Sequence, residues 1–87
     1  MSYYVYILRS TIDGTLYKGS SADYIQRFHA HNSGLSRYTR GKTPWELIYV
    51  EVHESKTSAL IREKKLKRCN RNYLLWLIEQ PGNILKT

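Results

Sequence analysis

The sequence predicts an α+β fold: a small three-stranded antiparallel sheet flanked by helices, in the order β-β-α-β-α-α. Three observations carry this. Residues 3–9 are dense in β-branched and aromatic side chains, the composition of a half-buried strand. Asp13-Gly14 follows as a hairpin turn signal, because glycine accepts the positive φ that tight hairpin turns require. Two later segments, after a third strand-like run, have helical spacing and end at Pro81-Gly82.

Taken in order, the first strand places Tyr4, Tyr6 and Leu8 on one face and Tyr3, Val5, Ile7 and Arg9 on the other, since strand side chains alternate. Residues 16–20 return as the second strand. Ser20 or Ser21 can cap the next helix by accepting from its free amides, with Asp23 in the first turn. That helix runs to about Asn32, where Gly34 supplies a stop. Ile25 and Phe28 are its expected anchors, and Tyr24, Arg27 and His31, spaced +3 and +4, share a face. Residues 33–44 read as a basic loop. Residues 45–53 read as the third strand, with Ile48, Val50 and Val52 on one face and Leu47 and Tyr49 on the other. Ser55 caps a helix to about Cys69 whose apolar arc is Ala59, Leu60 and Leu66, with Glu63 inside the arc. A short apolar helix over 72–79 closes the fold, leaving residues 81–87 as a C-terminal tail to a single domain of residues 1–80.

At 87 residues, two independent cores or a large cofactor pocket are not expected, so an active site would be a shallow surface constellation. Lys and Arg number 14 against 7 Asp and Glu, a net charge of +7 that favours polyanionic partners. One Cys, Cys69, excludes an intramolecular disulfide and a four-thiolate zinc site. The N-terminal residues lack a signal-peptide pattern, and the longest apolar run, residues 74–78, is far short of the ~20 a membrane span needs. The expectation is a cytoplasmic, soluble protein without membrane contact.

Several residues could carry chemistry. Glu63 is the only acid between Glu54 and Glu79 and sits among Arg62, Lys64, Lys65, Lys67 and Arg68. A carboxylate on the apolar side of a helix needs a metal ion, a buried Arg or a neighbouring Lys to offset its desolvation. Arg27 can grip a phosphate and His31 can move a proton near neutral pH, although the pair could equally be a solvated helix face. Tyr6 and Tyr17 are plausible neighbours across the hairpin, as a reactive pair or as cross-strand packing. Gly19 allows a close approach or makes a turn. Arg37, Arg40 and Lys42 in the loop, with Lys64, Lys67 and Arg68 on the helix, could track a phosphate backbone or simply solubilise the surface.

Together these residues resemble a known pattern. Tyr4-Val5-Tyr6 and Tyr17-Lys18-Gly19 are similar to the two half-motifs of the GIY-YIG nuclease family, with the Asp-Gly turn between them and Arg27 and Glu63 following in order. The strings His31-Asn32-Ser33-Gly34, Tyr38-Thr39-Arg40-Gly41, Pro44-Trp45 and Arg62-Glu63-Lys64 resemble the small single-domain subgroup, related to the catalytic domains of excinucleases and homing endonucleases. The resemblance spans residue 3 to about residue 78. It implies phosphodiester hydrolysis leaving a 5′-phosphate and a 3′-hydroxyl, with one divalent cation, Mg²⁺ or Mn²⁺. It makes Glu63 the metal ligand and Tyr17 the residue that activates or positions water. Tyr6 would hold the phosphate or assist proton transfer, Arg27 would stabilise phosphate charge, and His31 would contact the phosphate or help deprotonate the nucleophile.

Lys18 departs from the pattern, replacing Ile, and so does the last helix, where many members carry an Asn and this chain has Leu74-Leu75. The resemblance implies DNA as the partner, with RNA as the alternative, and a role such as DNA repair. With no attached DNA-binding domain in these residues, low sequence specificity or a structure preference is expected, with a partner protein as another source of specificity. The expected assembly is a monomer or weak homodimer. The competing readings are a non-catalytic nucleic-acid-binding module and an accessory subunit docking through residues 73–78.

Overall fold

The expected architecture is present in a computed structural model, which describes residues 2–86. The opening hairpin is β1 (Tyr3–Ser10) and β2 (Leu16–Ser21). Gly14 turns it at φ +76°. The turn is held from two sides. Lys42 Nζ donates to Asp13 Oδ2 at 2.7 Å, and Arg71 Nη1 donates to the Gly14 carbonyl at 2.8 Å. The third strand, β3 (Trp45–His53), pairs with the other side of β1, so the antiparallel order is β2-β1-β3 with β1 central.

Helix α1 (Tyr24–Asn32) covers one face of the sheet, and α2 (Lys56–Leu66) and α3 (Arg71–Ile78) cover the other. Val5, Ile7 and Tyr49 meet Ala59, Leu66, Leu74 and Leu77 under α2 and α3. Tyr6, Leu8, Val50 and Trp45 meet Tyr24 and Phe28 under α1. Among the described residues, no helix is long and apolar enough to cross a membrane.

Local expectations are corrected in four places: the α1 cap, the α1 anchors, helix α2 and strand β3. The cap of α1 is Asp23, whose carboxylate accepts from the Gln26 amide at 3.0 Å; Ser20 and Ser21 instead complete β2. Phe28 packs inward but Ile25 is 54% exposed, because inward positions of so short a helix are taken by Tyr24, Ala30 and His31. Leu60 is 46% exposed, and the inward arc of α2 runs through Ala59, Arg62, Glu63 and Leu66. The helix also ends at Leu66 rather than Cys69.

The fourth correction concerns β3. Ile7 pairs with Tyr49 but Leu8 pairs with Leu47, leaving Ile48 as an extra residue in a bulge. Strict alternation therefore fails: Ile48 packs with Tyr49 toward α2 and α3, while Leu47 and Val50 pack toward α1. Asn83 covers this irregularity. Its Nδ2 donates to the Ile48 and Ile78 carbonyls at 3.0 and 2.9 Å, and its Oδ1 accepts from the Val50 amide at 3.2 Å. The segment following α3 thus returns to the outer strand and supplies partners that a fourth strand would otherwise have supplied.

A carboxylate fixes α2 onto the sheet. Glu51 accepts from the Tyr49 hydroxyl and from Arg62 Nε at 3.0 Å, and lies 2.6 Å from His53 Nε2. Burial raises the Glu51 pKa, but bonds from Tyr49, His53 and Arg62 outweigh it and hold the carboxyl below its usual range. Arg62 is thereby committed to β3, which turns its neighbour Glu63 toward β2.

On the hairpin, Gly19 pairs with Tyr6 and Tyr17 with Leu8. A Cβ on Gly19 would lie 2.6 Å from the Tyr6 hydroxyl oxygen and 2.7 Å from its Cζ. The Tyr6 ring therefore lies across the backbone of β2 in the space a side chain would fill.

Two stability outcomes follow. Asn83→Ala strips partners from buried backbone groups and is expected to cost about 2–4 kcal/mol in urea unfolding; a loss below ~0.5 kcal/mol would contradict the bracing role. Gly19→Ala forces the Tyr6 ring out and is expected to cost about 1–3 kcal/mol and to change the near-ultraviolet tyrosine circular dichroism. An unchanged spectrum would show that the ring does not occupy this position.

Candidate active site

The candidate residues gather around the outer strand β2 from both faces of the sheet. Tyr6, Tyr17, Arg27 and His31 come from the α1 side, and Ser20, Glu63 and Lys67 from the α2 side. The two groups meet where Tyr17 and Lys67 line one cleft. Five residues singled out by the resemblance, dispersed over 57 positions of sequence from Tyr6 to Glu63, thus meet at one edge.

The α1 side is a hydrogen-bonded stack. His31 is fully buried, not on a solvated helix face. Its Nε2 lies 3.2 Å from the Tyr6 hydroxyl and its Nδ1 lies 2.8 Å from Thr39 Oγ1. Thr39 is fully buried too, and its carbonyl accepts from Trp45 Nε1 at 2.8 Å, so the loop is tied to β3 behind the imidazole. Asn32 adds a second tie, donating to the Trp45 carbonyl at 3.0 Å. The Tyr17 ring packs over this stack, 4.8 Å from the His31 ring and 6.5 Å from the Tyr6 ring between centroids.

Electrostatics sets the protonation states. Burial lowers the His31 pKa, and Arg27 lowers it further, so the imidazole is neutral at neutral pH. Burial raises the Tyr6 pKa, with Tyr17 and Glu63 adding to it against a hydrogen bond and charge from Arg27. Tyr6 is therefore a neutral hydroxyl. One tautomer serves both contacts: Nδ1–H donates to Thr39 Oγ1 and Nε2 accepts the Tyr6 O–H, while the Arg27 charge acts on the phenol oxygen.

The α2 side holds the carboxylate. The Glu63 side chain is 16% exposed, accepts from Ser20 Oγ at 2.5 Å and pairs with Lys67 Nζ at 2.9 Å, one helical turn on. Among the described residues no three His, Cys, Asp or Glu side chains form a metal-binding group. The donor set is thus one carboxylate beside one hydroxyl. It does not suit zinc, which takes nitrogen and sulfur ligands. It does suit Mg²⁺, which keeps several waters and binds through one or two carboxylates and substrate phosphates. The same carboxylate pairs with the Lys67 ammonium.

The remaining basic residues divide. Arg37 and Arg40 are exposed on the loop, Lys64 and Arg68 on and just after α2. Lys42 is committed to Asp13 and Thr15 in the hairpin turn. Leu74 is core, and Leu75 lines a separate cleft with Arg9, Leu47 and Ile78, so neither brings a polar group to Glu63. Sequence reasoning missed Ser20 as the partner of Glu63 and Thr39 as the partner of His31. Alternation could have placed Ser20 with Lys18 on the α2 face; nothing local marks Thr39.

Comparison with known proteins shows the family. The chain matches the GIY-YIG catalytic domain over residues 2–74. A UPF0213 protein of Clostridium perfringens is 43% identical over 80 residues, covering 91% of this chain and 85% of that protein. One from Staphylococcus aureus is 39% identical over 80 residues, covering 91% and 96%. The solution NMR structure of a UPF0213 protein from Bacillus halodurans has 35% identity and a TM-score of 0.60, over 94% of this chain and 87% of that one. On a match over residues 2–74 that runs through both half-motifs, the chain belongs to the GIY-YIG catalytic-domain family, in company with the small single-domain UPF0213 proteins.

Proposed function

We propose that the protein is a metal-dependent endonuclease that hydrolyses DNA phosphodiester bonds with low sequence specificity or a preference for DNA structure. The observation that carries this reading is the meeting of Tyr6, Tyr17, Arg27, His31 and Glu63 at one strand edge in a chain of this family. A surplus of +7 supports a polyanionic substrate.

Glu63, with Ser20 beside it, would hold a hydrated divalent cation, which when bound supplies charge neutralisation at the phosphate. Tyr17, the less buried of the two tyrosines, positions the attacking water. Arg27 sits half-buried beside the Tyr6 hydroxyl and faces the charge that develops on the phosphate oxygens. Tyr6 and His31 are both buried, so the water's proton reaches His31 through the Tyr6 hydroxyl: Tyr6 passes its own proton to Nε2 as it accepts another. Thr39 holds the imidazole in the tautomer that leaves Nε2 free to accept. Water oxygen bonds to phosphorus as the bond to the 3′ oxygen breaks; the 3′ oxygen leaves with the electron pair and takes a proton from solvent, giving the 5′-phosphate and the 3′-hydroxyl.

A non-catalytic binding module is the second reading. It is favoured by Lys67 holding Glu63 and by Leu74-Leu75 in the last helix, where many family members carry Asn. Cleavage of supercoiled plasmid, flap and single-stranded substrates in Mg²⁺ and in EDTA separates the two. Cleavage should require the metal and vanish in Glu63→Ala, while Tyr6→Phe and Tyr17→Phe should each slow it roughly 10²-fold or more. Salt-sensitive binding with no cleavage on any substrate would establish the binding module.

A further inference from the structure

Beside the proposed catalytic group lies a cleft of about 340 Å³, lined by Leu16, Tyr17, Lys18, Tyr38 and Lys67. Its chemistry is unlike the rest of the surface. Tyr38, in the loop after α1, is 87% exposed, an unusual cost for a large ring with no packing role. Its ring stands 6.4 Å from that of Tyr17 at an interplanar angle of 52°. Two ammonium groups share the other wall. Lys18 Nζ reaches the Leu16 carbonyl at 3.2 Å, and Lys67 Nζ reaches Glu63. Burial lowers the Lys18 pKa and the nearby Lys67 lowers it further, so an anion bound here would relieve Lys18.

We propose that this cleft is a subsite for one unstacked nucleotide next to the cleaved phosphate, with its base on the Tyr38 ring and its phosphate between Lys18 and Lys67. An aromatic face beside paired cations matches the repeating unit of a single strand, in which each base offers a π-face and each link a negative charge. A base inside a duplex is covered on both faces and cannot present itself to Tyr38. The subsite therefore favours strands that are single or locally opened. Lys18 makes it a property of this chain, since the GIY-YIG half-motif has an apolar residue there. Lys67 is common to both places: it lines the cleft and its ammonium pairs with Glu63.

The subsite's place beside a cleaved phosphate rests on the nuclease reading, but binding in EDTA tests it without any cleavage. A fluorescein-labelled single-stranded oligothymidylate and a duplex of the same length would be titrated against wild type, Tyr38→Ala, Tyr38→Phe and Lys18→Ile. Tyr38→Ala is expected to weaken single-strand binding roughly tenfold with little effect on the duplex, and Tyr38→Phe to retain it. Lys18→Ile should make the dependence of log affinity on log salt shallower by about 0.7 for the single strand. Unchanged binding in Tyr38→Ala, equal loss on both ligands, or a loss in Tyr38→Phe as large as in Tyr38→Ala would overturn the subsite. Tyr38 has no packing role, so circular dichroism of the variants should match wild type. Glu63-dependent cleavage that persists beside any of those results would leave the nuclease reading standing, and its absence beside a tenfold binding loss would leave the subsite standing alone.

Discussion

Everything at this site depends on a missing carbon atom. Tyr6 stands on the central strand and faces α1, so an ordinary residue opposite it on β2 would confine its ring to the core. Gly19 is opposite instead, and the ring lies across it with the hydroxyl where a Cβ would be. That placement carries the hydroxyl to His31 on one side and within the influence of Glu63 on the other. A glycine in a strand weakens the strand; here the open space is what allows one side chain to connect two faces of the sheet.

The choice of β2 as the site follows from topology. In a three-stranded sheet with β1 in the middle, groups on opposite faces can approach only around an outer strand. The β3 edge is closed by Asn83 and the segment after α3, and the Glu51 cluster commits α2 to that side. The β2 edge is left to carry the reactive groups. Opposite charges then sort by depth. The imidazole and the Tyr6 phenol are buried and neutral, while Arg27, Glu63 and Lys67 lie nearer the surface, where substrate charge and solvent can compensate them.

Much of this was legible in the sequence. The hairpin, the order of elements along the chain and the Ser55 cap follow from turn chemistry and periodicity, and the alternation along β1 correctly separates Tyr6 and Leu8 from Val5 and Ile7. The failures are those of local rules overruled by partners distant in sequence. Alternation in β3 breaks at Ile48 because a bulge is a property of two strands and of the Asn83 side chain 35 residues later. Two serines and an aspartate compete for the α1 cap, and pairing with β1 keeps both serines in the strand, leaving Asp23. An Arg-x-x-x-His spacing cannot distinguish a wet helix face from a buried base. The difference is made by Tyr6 and Thr39, which arrive from elsewhere.

The central claim is that a neutral His31 accepts a hydrogen bond from Tyr6 and stands ready to take its proton. Long-range ¹H–¹⁵N correlation NMR on the histidine rings tests it most directly. The account predicts that His31 is in the neutral Nδ1–H form at neutral pH and stays neutral as pH falls below the usual histidine value of ~6.5. An Nε2–H tautomer, or an imidazolium at neutral pH, would make Tyr6 the acceptor, remove the proton sink and contradict the account.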